Sequence, residues 1–168
     1  LRTGDVPIVS TIEEKLGRIK GIKAAWLGDI NNVSRTWAQA AKIWDFELVC
    51  AVPEALAGKA GPDITTTHDA MEAAKDADVV VTDTWVSMGQ EGKAIDMFMP
   101  YQVNAELMAK AKDNAIFMHC MPVHRGEEAT DEVLASDACV IYDEAENRLH
   151  AQKAILAWCL KDAGVKLA

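Results

Sequence analysis

Short apolar runs that alternate with helical stretches constrain this fold more than any other feature of the chain. The runs lie at 24–27, 48–52, 79–81, 115–119 and 139–142, and the helical stretches at 32–45, 67–75, 104–112, 130–134 and 146–160. Such alternation is typical of parallel strands whose sheet is covered by helices on both faces. The sequence therefore predicts a doubly wound, Rossmann-like α/β domain with a mainly parallel sheet of five strands.

Two segments stand outside this alternation. Residues 11–19 precede the first strand, and residues 151–167 follow the last. The final helix is apolar around more of its circumference than a surface helix needs, through Ile155, Leu156, Trp158, Cys159 and Leu160. We expect both segments to pack against something outside this chain. Residues 1–10 contain Gly4 and Pro7 and no starting Met, so we expect an irregular lead-in and a fragment of a longer protein.

Charge and length limit the classes of function. The 168 residues suit one domain with a full core, and a net charge of −9 opposes binding to nucleic acid or anionic membranes. No apolar run approaches the roughly 20 residues of a membrane-spanning helix. The four cysteines form no CxxC pair, which favours reduced thiols in a cytoplasmic protein.

Polar clusters follow two of the predicted strands. The segment 83–89 follows one apolar run, and His119-Cys120-Met121-Pro122 ends another. Strands of an open α/β sheet that present polar residues at their carboxyl ends build a ligand site. A thiol there can act chemically, and a proline after it can fix an unusual turn.

Plainer interpretations compete with each cluster. Gly28–Asn32 holds only one glycine of a dinucleotide-binding loop, which disfavours a nucleotide, and Glu54 after the next strand is then a surface acid. Asn32 would ordinarily be a helix cap, and Arg148 could pair with Glu144. The zinc ligand types His119, Cys120 and His124 have no usual zinc spacing, so we expect no metal.

Four motifs that occur in one order favour the functional interpretation over the plainer ones. They are G-D-I-N-N at 28–32, D-T-W-V-S-M-G-Q-E at 83–91, H-C-M-P at 119–122 and D-E-A-E-N-R-L-H-A-Q-K at 143–153. From about Thr11 to its end, the chain closely resembles the carboxyl-terminal, ornithine-binding half of the ornithine carbamoyltransferase family. Ser87-Met88-Gly89 and the cysteine at 120 favour ornithine over aspartate as the second substrate.

The resemblance implies transfer of a carbamoyl group from carbamoyl phosphate to the side-chain amine of L-ornithine, without a cofactor. It implies that Asp83 pairs with the α-ammonium of ornithine. It also implies that Asn32, Ser87 and Met88 bind the α-amino-acid end. Charge-assisted contacts of this kind would fix the orientation of the substrate.

The resemblance assigns Cys120, with Asp83, to the proton on the attacking amine. It assigns Arg148, with the backbone at Cys120-Met121, to carbamoyl phosphate, and it implies a cis Met121–Pro122 bond. Met121 replaces the family's usual leucine, a change of similar volume that should be tolerated.

The family's phosphate-binding S-T-R-T and H-P-x-Q motifs do not occur in this chain. We therefore expect the amino-terminal carbamoyl-phosphate domain to be missing and the chain to be inactive, or nearly so, by itself. The expected division is a lead-in with an interdomain helix remnant at 1–20, the ornithine-binding domain at 21–150, and a helix at 151–168 that packs on the missing domain. The resemblance implies a homotrimeric parent enzyme. An amino-acid-binding or subunit-interaction module, and a carbamoyltransferase for putrescine or an acylated ornithine, remain alternatives.

Overall fold

The computed structural model describes residues 5–62, 64–86 and 95–165. The strands are β1 (Lys23–Leu27), β2 (Glu47–Ala51), β3 (Thr65–Thr67), β4 (Val79–Thr82) and β5 (Ile116–His119). The helices are α1 (Asp5–Leu16), α2 (Asn32–Trp44), α3 (Glu54–Ala57), α4 (Ala70–Ala74), α5 (Ala105–Met108), α6 (Asp131–Leu134) and α7 (Ile141–Asp162), with a 3₁₀ turn at Met99–Tyr101.

All five strands run parallel, in the order β3-β2-β1-β4-β5. This confirms the predicted fold class. The chain reverses its direction of travel across the sheet between β1 and β4, so their carboxyl ends flank the crevice in which such sheets bind ligands. Leu27, Thr82 and His119 lie side by side in the register of β1, β4 and β5. The residues that follow these three strands are therefore brought together.

Each face of the sheet has its own apolar layer. On one face Trp26 and Met118 pack with Trp37 of α2 and Ile12 of α1, all essentially inaccessible to water. The other face is filled by side chains from α4, α5 and α6 around Phe117. The strands are apolar nearly throughout because both of their faces are covered.

The fifth strand is not the one that the sequence predicts. The segment 139–142 contributes only an isolated bridge between Cys139 and Phe117, and α7 begins at Ile141. Instead β3, made of three threonines, pairs with β2 at the edge of the sheet. The prediction of a helix capped by Thr67 was wrong, because Asp69 caps α4 through its Oδ1, which accepts from the backbone of Met71 and Glu72.

The two helices at the ends of the chain are longer than predicted. The described residues of the expected irregular lead-in form the start of α1, where Pro7 is tolerated because the first turn needs no donor there. Helix α7 begins five residues before the predicted start at 146, and Arg148 lies in its third turn. The division at residues 20 and 150 remains a prediction, and its second boundary falls within α7.

Helices α1 and α7 are joined by buried polar contacts. The Asn147 side chain donates to Thr11 Oγ1 at 3.0 Å and to Glu14 Oε2 at 2.8 Å. Thr11 and Asn147 are both buried. The first half of α7 is thereby fixed against this chain's own α1. No helix among the described residues has the length and apolar character that crossing a membrane requires.

Candidate active site

Asp83 is the centre of a cluster at the carboxyl ends of β1, β4 and β5. Its Oδ1 accepts from the Cys120 thiol and from the Thr84 backbone N–H, both at 2.8 Å. Its Oδ2 accepts from the Asn31 side chain at 2.7 Å. One carboxylate therefore joins the loops that follow three strands. The sequence predicts Asp83 and Cys120 as site residues, and the structure places them in direct contact.

Asn31, and not Asn32, is the cap of α2. The Asn31 Oδ1 accepts from Val33 N and Ser34 N, and the Ser34 hydroxyl accepts from the Asn31 backbone in return. The interpretation of Asn32 as a cap was therefore wrong. A cap satisfies the free N–H groups of the first turn, and Asn31 does so with its oxygen while its nitrogen holds Asp83. Asn32, at the first helical position, is exposed and lines the site cleft.

The Cys120 thiol is a hydrogen-bond donor in this arrangement. Burial, followed by the nearby Asp83 carboxylate, raises the pKa of Cys120 well above its usual range. The thiol is consequently protonated at neutral pH and has a proton to give to Asp83. The sequence alone does not reveal this protonation state of Cys120.

The backbone after Cys120 has an unusual conformation. The Met121–Pro122 bond is cis, as the resemblance implies, and Met121 has a φ of 60°. Residues with a side chain rarely adopt this left-handed region; Asp45 and Asp76 do so away from the site, and Met121 does so beside Cys120. The Met121 N–H donates to His119 Nδ1 at 2.9 Å. Burial lowers the pKa of His119, so its ring is neutral and accepts this hydrogen bond.

Helix α7 supplies a carboxyl group and a guanidinium to the same region. Glu144 is buried, and its Oε2 accepts from the His119 N–H at 3.1 Å. Burial raises the pKa of Glu144 to about 7. Arg148 lies one turn later and is exposed. In the described part of the chain the two residues form no salt bridge, and Arg148 acts on Glu144 only through its charge, which lowers the pKa of Glu144 against the larger effect of burial.

An open cleft of about 410 Å³ lies beside this cluster, and Asp83 reaches it only through Cys120, because Asp83 is not among the lining residues. Its walls come from α1, the start of α2, the turn after β5 and the first half of α7. The lining residues are Pro7, Ile8, Asn32, Val33, Thr36, His119, Cys120, Met121, Glu144, Ala145, Arg148 and Gln152. The structure thus brings together Asn32, Cys120, Met121 and Arg148. Ser87 and Met88 lie outside the described residues.

Sequence reasoning missed Asn31, Thr84 and Glu128, and considered Glu144 only as a partner of Arg148. The signal for Asn31 is its spacing from Ser34, which matches a reciprocal cap. Glu128 is fully buried and bonds to backbone groups of two different loops. The partners of a buried acid are set by the fold, and local sequence does not reveal them.

The structure does not bring together the three residues considered for zinc. The Cys120 thiol contacts Asp83, and His119 Nδ1 accepts from the backbone. His124 lies beside Glu127 and Glu128, and these three could in principle hold an ion. Both Glu128 oxygens already accept backbone hydrogen bonds, however, so we assign no metal to this group.

Gly28 is explained by packing. It has a φ of 120°, and a Cβ atom at this position would lie 3.1 Å from the Trp85 indole nitrogen. The absence of a side chain therefore allows the Trp85 ring to approach the end of β1. This account needs no bound nucleotide.

Comparisons with known proteins agree with this arrangement. The family described as aspartate/ornithine carbamoyltransferase, Asp/Orn binding domain, matches residues 20–159. The chain is 54% identical over 168 residues to an ornithine carbamoyltransferase of Brucella ovis, covering 94% of this chain and 54% of that protein. It thus spans about half the length of the curated relatives that it matches.

The similar solved structures are also ornithine carbamoyltransferases. An ornithine carbamoyltransferase from Pyrococcus furiosus is similar with a TM-score of 0.83 and 43% identity, over 92% of this chain and 55% of that one. One from Burkholderia thailandensis has a TM-score of 0.80 and 39% identity, over 92% and 52% of the two chains.

Proposed function

The chain belongs to the aspartate/ornithine carbamoyltransferase family, and from this we propose that it is the ornithine-binding half of a carbamoyltransferase. The parent enzyme would transfer a carbamoyl group from carbamoyl phosphate to the side-chain amine of L-ornithine, giving citrulline and phosphate in arginine metabolism. The observation that carries the proposal is the Asp83–Cys120 contact beside a cleft lined by Asn32 and Arg148.

Ornithine has a zwitterion at one end and an amine at the other. In our proposal Asp83 pairs with the α-ammonium, while Asn32, Ser87 and Met88 bind the α-amino-acid end. The exposed amide of Asn32 faces the cleft because Asn31 has taken over the capping of α2. Several charge-assisted contacts at one end of the substrate would leave the other end in a fixed position for attack.

The distal amine of ornithine must lose a proton before it attacks, because its pKa should be about 10.4, like that of lysine. A protonated Cys120 is not a base by itself. In our proposal the amine gives a proton to Cys120 Sγ while the thiol proton passes to Asp83 Oδ1. The 2.8 Å hydrogen bond between Cys120 and Asp83 supplies the path for that second transfer.

Carbamoyl phosphate would be held partly by this chain and partly by residues outside it. Arg148, a fixed cation at the cleft, suits an oxygen whose negative charge grows during the reaction. The backbone at Cys120-Met121 would hold the carbamoyl amide. We propose that an amino-terminal domain outside this chain supplies the remaining phosphate contacts. The parent enzyme would be a cytoplasmic homotrimer.

An NMR shift titration of this chain with L-ornithine tests the proposal. We expect shifts centred on Asn32, Asp83 and Cys120 that disappear in Asp83→Asn. Asp131→Asn is the matched control, because Asp131 is an exposed acid that pairs with Arg125. Absence of shifts at tens of millimolar L-ornithine would contradict a preformed ornithine site.

The same titration separates the related substrates. Putrescine has no α-carboxylate, and an acylated ornithine has no free α-ammonium for Asp83. Stronger binding of either one than of L-ornithine would favour the related carbamoyltransferases.

A second candidate function is a subunit-interaction module. It is favoured by the exposed apolar side chains of α7, among them Leu149, Leu156 and Trp158. Self-association of this chain without any binding of L-ornithine would support this alternative.

A further inference from the structure

We propose that Glu128 is a positioning residue that holds the two loops bearing Asp83 and Cys120 at bonding distance. The inference deepens the function proposed above and rests on it. Glu128 lies in the same connection as Cys120, eight residues after it and three before α6, and its side chain is completely buried. None of the four motifs at 28–32, 83–91, 119–122 and 143–153 includes Glu128.

Each carboxylate oxygen of Glu128 binds a different loop. Oε1 accepts from the Trp85 backbone N–H at 3.2 Å, two residues after Asp83. Oε2 accepts from the His124 backbone N–H at 2.6 Å, two residues after Pro122. The His124 ring also approaches, with Nδ1 3.0 Å from Oε1. One side chain therefore fixes the main chain that follows β4 relative to the main chain that follows β5.

Other contacts make the loop after β4 a rigid support at this point. The Trp85 ring is buried, stacks on Phe98 at 5.6 Å between centroids, and packs beside Gly28. The Thr84 hydroxyl donates to the Pro122 carbonyl at 2.7 Å, which adds a second link between the same two loops. With the main chain fixed on either side, the Asp83 and Cys120 side chains have little freedom to separate.

The chemistry of this position requires a carboxylate. Both Glu128 oxygens face backbone N–H donors, and a carboxylate accepts on both sides. A glutamine has the same shape but turns its NH₂ group towards one of the two donors. Glu128→Gln should therefore break one link and leave the other intact, which loosens the loops without leaving a cavity.

The rate at which iodoacetamide alkylates each cysteine, measured by mass spectrometry, tests this directly. The wild-type Cys120 should react slowly, because burial and Asp83 keep it protonated. In Glu128→Gln we expect Cys120 to react roughly tenfold faster at pH 8, as for a pKa lower by about one unit. Glu127→Gln, with the same charge change on the neighbouring residue, should leave the rate unchanged.

The other cysteines distinguish positioning from general loosening. Cys50 is buried in the core and Cys139 lies beyond α6. If Glu128 positions the two loops, only Cys120 should accelerate. A parallel rise at Cys50 would assign Glu128 to overall stability and overturn the proposal, as would a folded Glu128→Gln with the wild-type Cys120 rate.

Glu128→Asp covers the case in which Glu128→Gln does not fold. The aspartate keeps the charge but is one methylene shorter, so it reaches fewer of the same donors. We expect an intermediate rise in the Cys120 rate, and a wild-type rate in folded Glu128→Asp would overturn the proposal.

Binding of L-ornithine is the second measurement. We expect the dissociation constant to rise roughly tenfold in Glu128→Gln and to stay unchanged in Glu127→Gln. If the wild-type chain binds no L-ornithine, the proposed substrate fails, but alkylation still tests the role of Glu128. Unchanged L-ornithine affinity in folded Glu128→Gln would contradict that role.

Discussion

At the scale of single residues, the site is a small set of polar groups whose ionisation depends on burial. Asp83 accepts from three donors, and Cys120 is protonated because it is half-buried beside that carboxylate. The motifs in the sequence identify Asp83 and Cys120. They do not reveal the protonation state, since burial is a property of the folded chain and the alignment of strands β1, β4 and β5 creates it.

Asp83→Asn should make Cys120 more acidic. The substitution removes the negative charge that, after burial, most disfavours the thiolate. We expect the pH profile of Cys120 alkylation to shift to lower pH, while burial keeps the pKa above that of a free thiol. An unchanged profile would show that burial alone sets the ionisation of Cys120. Asp131→Asn is again the control.

Glu144 should make stability depend on pH between about 4.5 and 7. Burial raises its folded pKa to about 7 from an ordinary value of 4.5, so the folded chain keeps a proton that the unfolded chain releases. Stability from this group is therefore complete below pH 4.5, falls as pH rises, and levels off above 7. The total change is on the order of 3 kcal/mol, at about 1.4 kcal/mol per pH unit.

The measurement is urea unfolding of the wild-type chain and of Glu144→Gln across this range. Glutamine keeps an acceptor for the His119 N–H but cannot ionise. We expect the difference in unfolding free energy between the two proteins to shift in favour of Glu144→Gln as pH rises. A difference that stays constant from pH 4.5 to 7 would contradict the raised pKa.

At the scale of helices and strands, the alternation of apolar runs predicts most of the fold, because a parallel sheet buries both faces of its strands. The strand that was predicted wrongly is the one at the edge of the sheet, where β3 takes the place of the predicted strand at 139–142. The three threonines of β3 follow a loop rich in glycine and proline, and their pairing with β2 has no strong apolar signal. The apolar residues at 139–142 resemble a strand, but they bring α7 against Phe117.

The contact of α1 with α7 should depend on Asn147. Asn147→Leu removes both hydrogen bonds to α1 and leaves the buried Thr11 hydroxyl without that donor. A buried polar group that loses its partner costs about 1–3 kcal/mol, so we expect a loss of this size in the free energy of unfolding. Chemical denaturation measures it.

Gln152→Leu, an exposed change on the same helix, should cost less than about 0.5 kcal/mol. Equal costs for Asn147→Leu and Gln152→Leu would show that α1 is held by apolar packing alone.

At the scale of the whole molecule, the two ends of α7 differ in their surroundings. The first half is covered by α1. Thr11, Ile12 and Ile19 are buried within this chain, so the packing that we expect for residues 11–19 on something outside the chain is at these positions made inside it. In the second half Leu156 is 61% exposed and Trp158 is 68% exposed. The sequence predicts this apolar surface correctly, because the helix is more apolar than its position in one domain requires.

Self-association of the chain should depend on Trp158. An exposed apolar surface of this kind favours association, and Trp158→Ser removes its largest side chain. We expect sedimentation velocity at high concentration to show association of the wild-type chain and a clear weakening in Trp158→Ser. Lys153→Ser, on the same helix, is the control. A monomeric wild-type chain would contradict this prediction.

The length of α7 has a mechanical consequence. Glu144 at its start bonds to the end of β5, Arg148 faces the cleft one turn later, and Trp158 lies ten residues beyond Arg148. At 1.5 Å per residue the guanidinium and the indole sit on one stiff rod about 15 Å apart along its axis. Because the Asn147 contact with α1 lies next to Arg148, a tilt imposed at the Trp158 end pivots beside Arg148 and moves that residue much less than it moves Trp158.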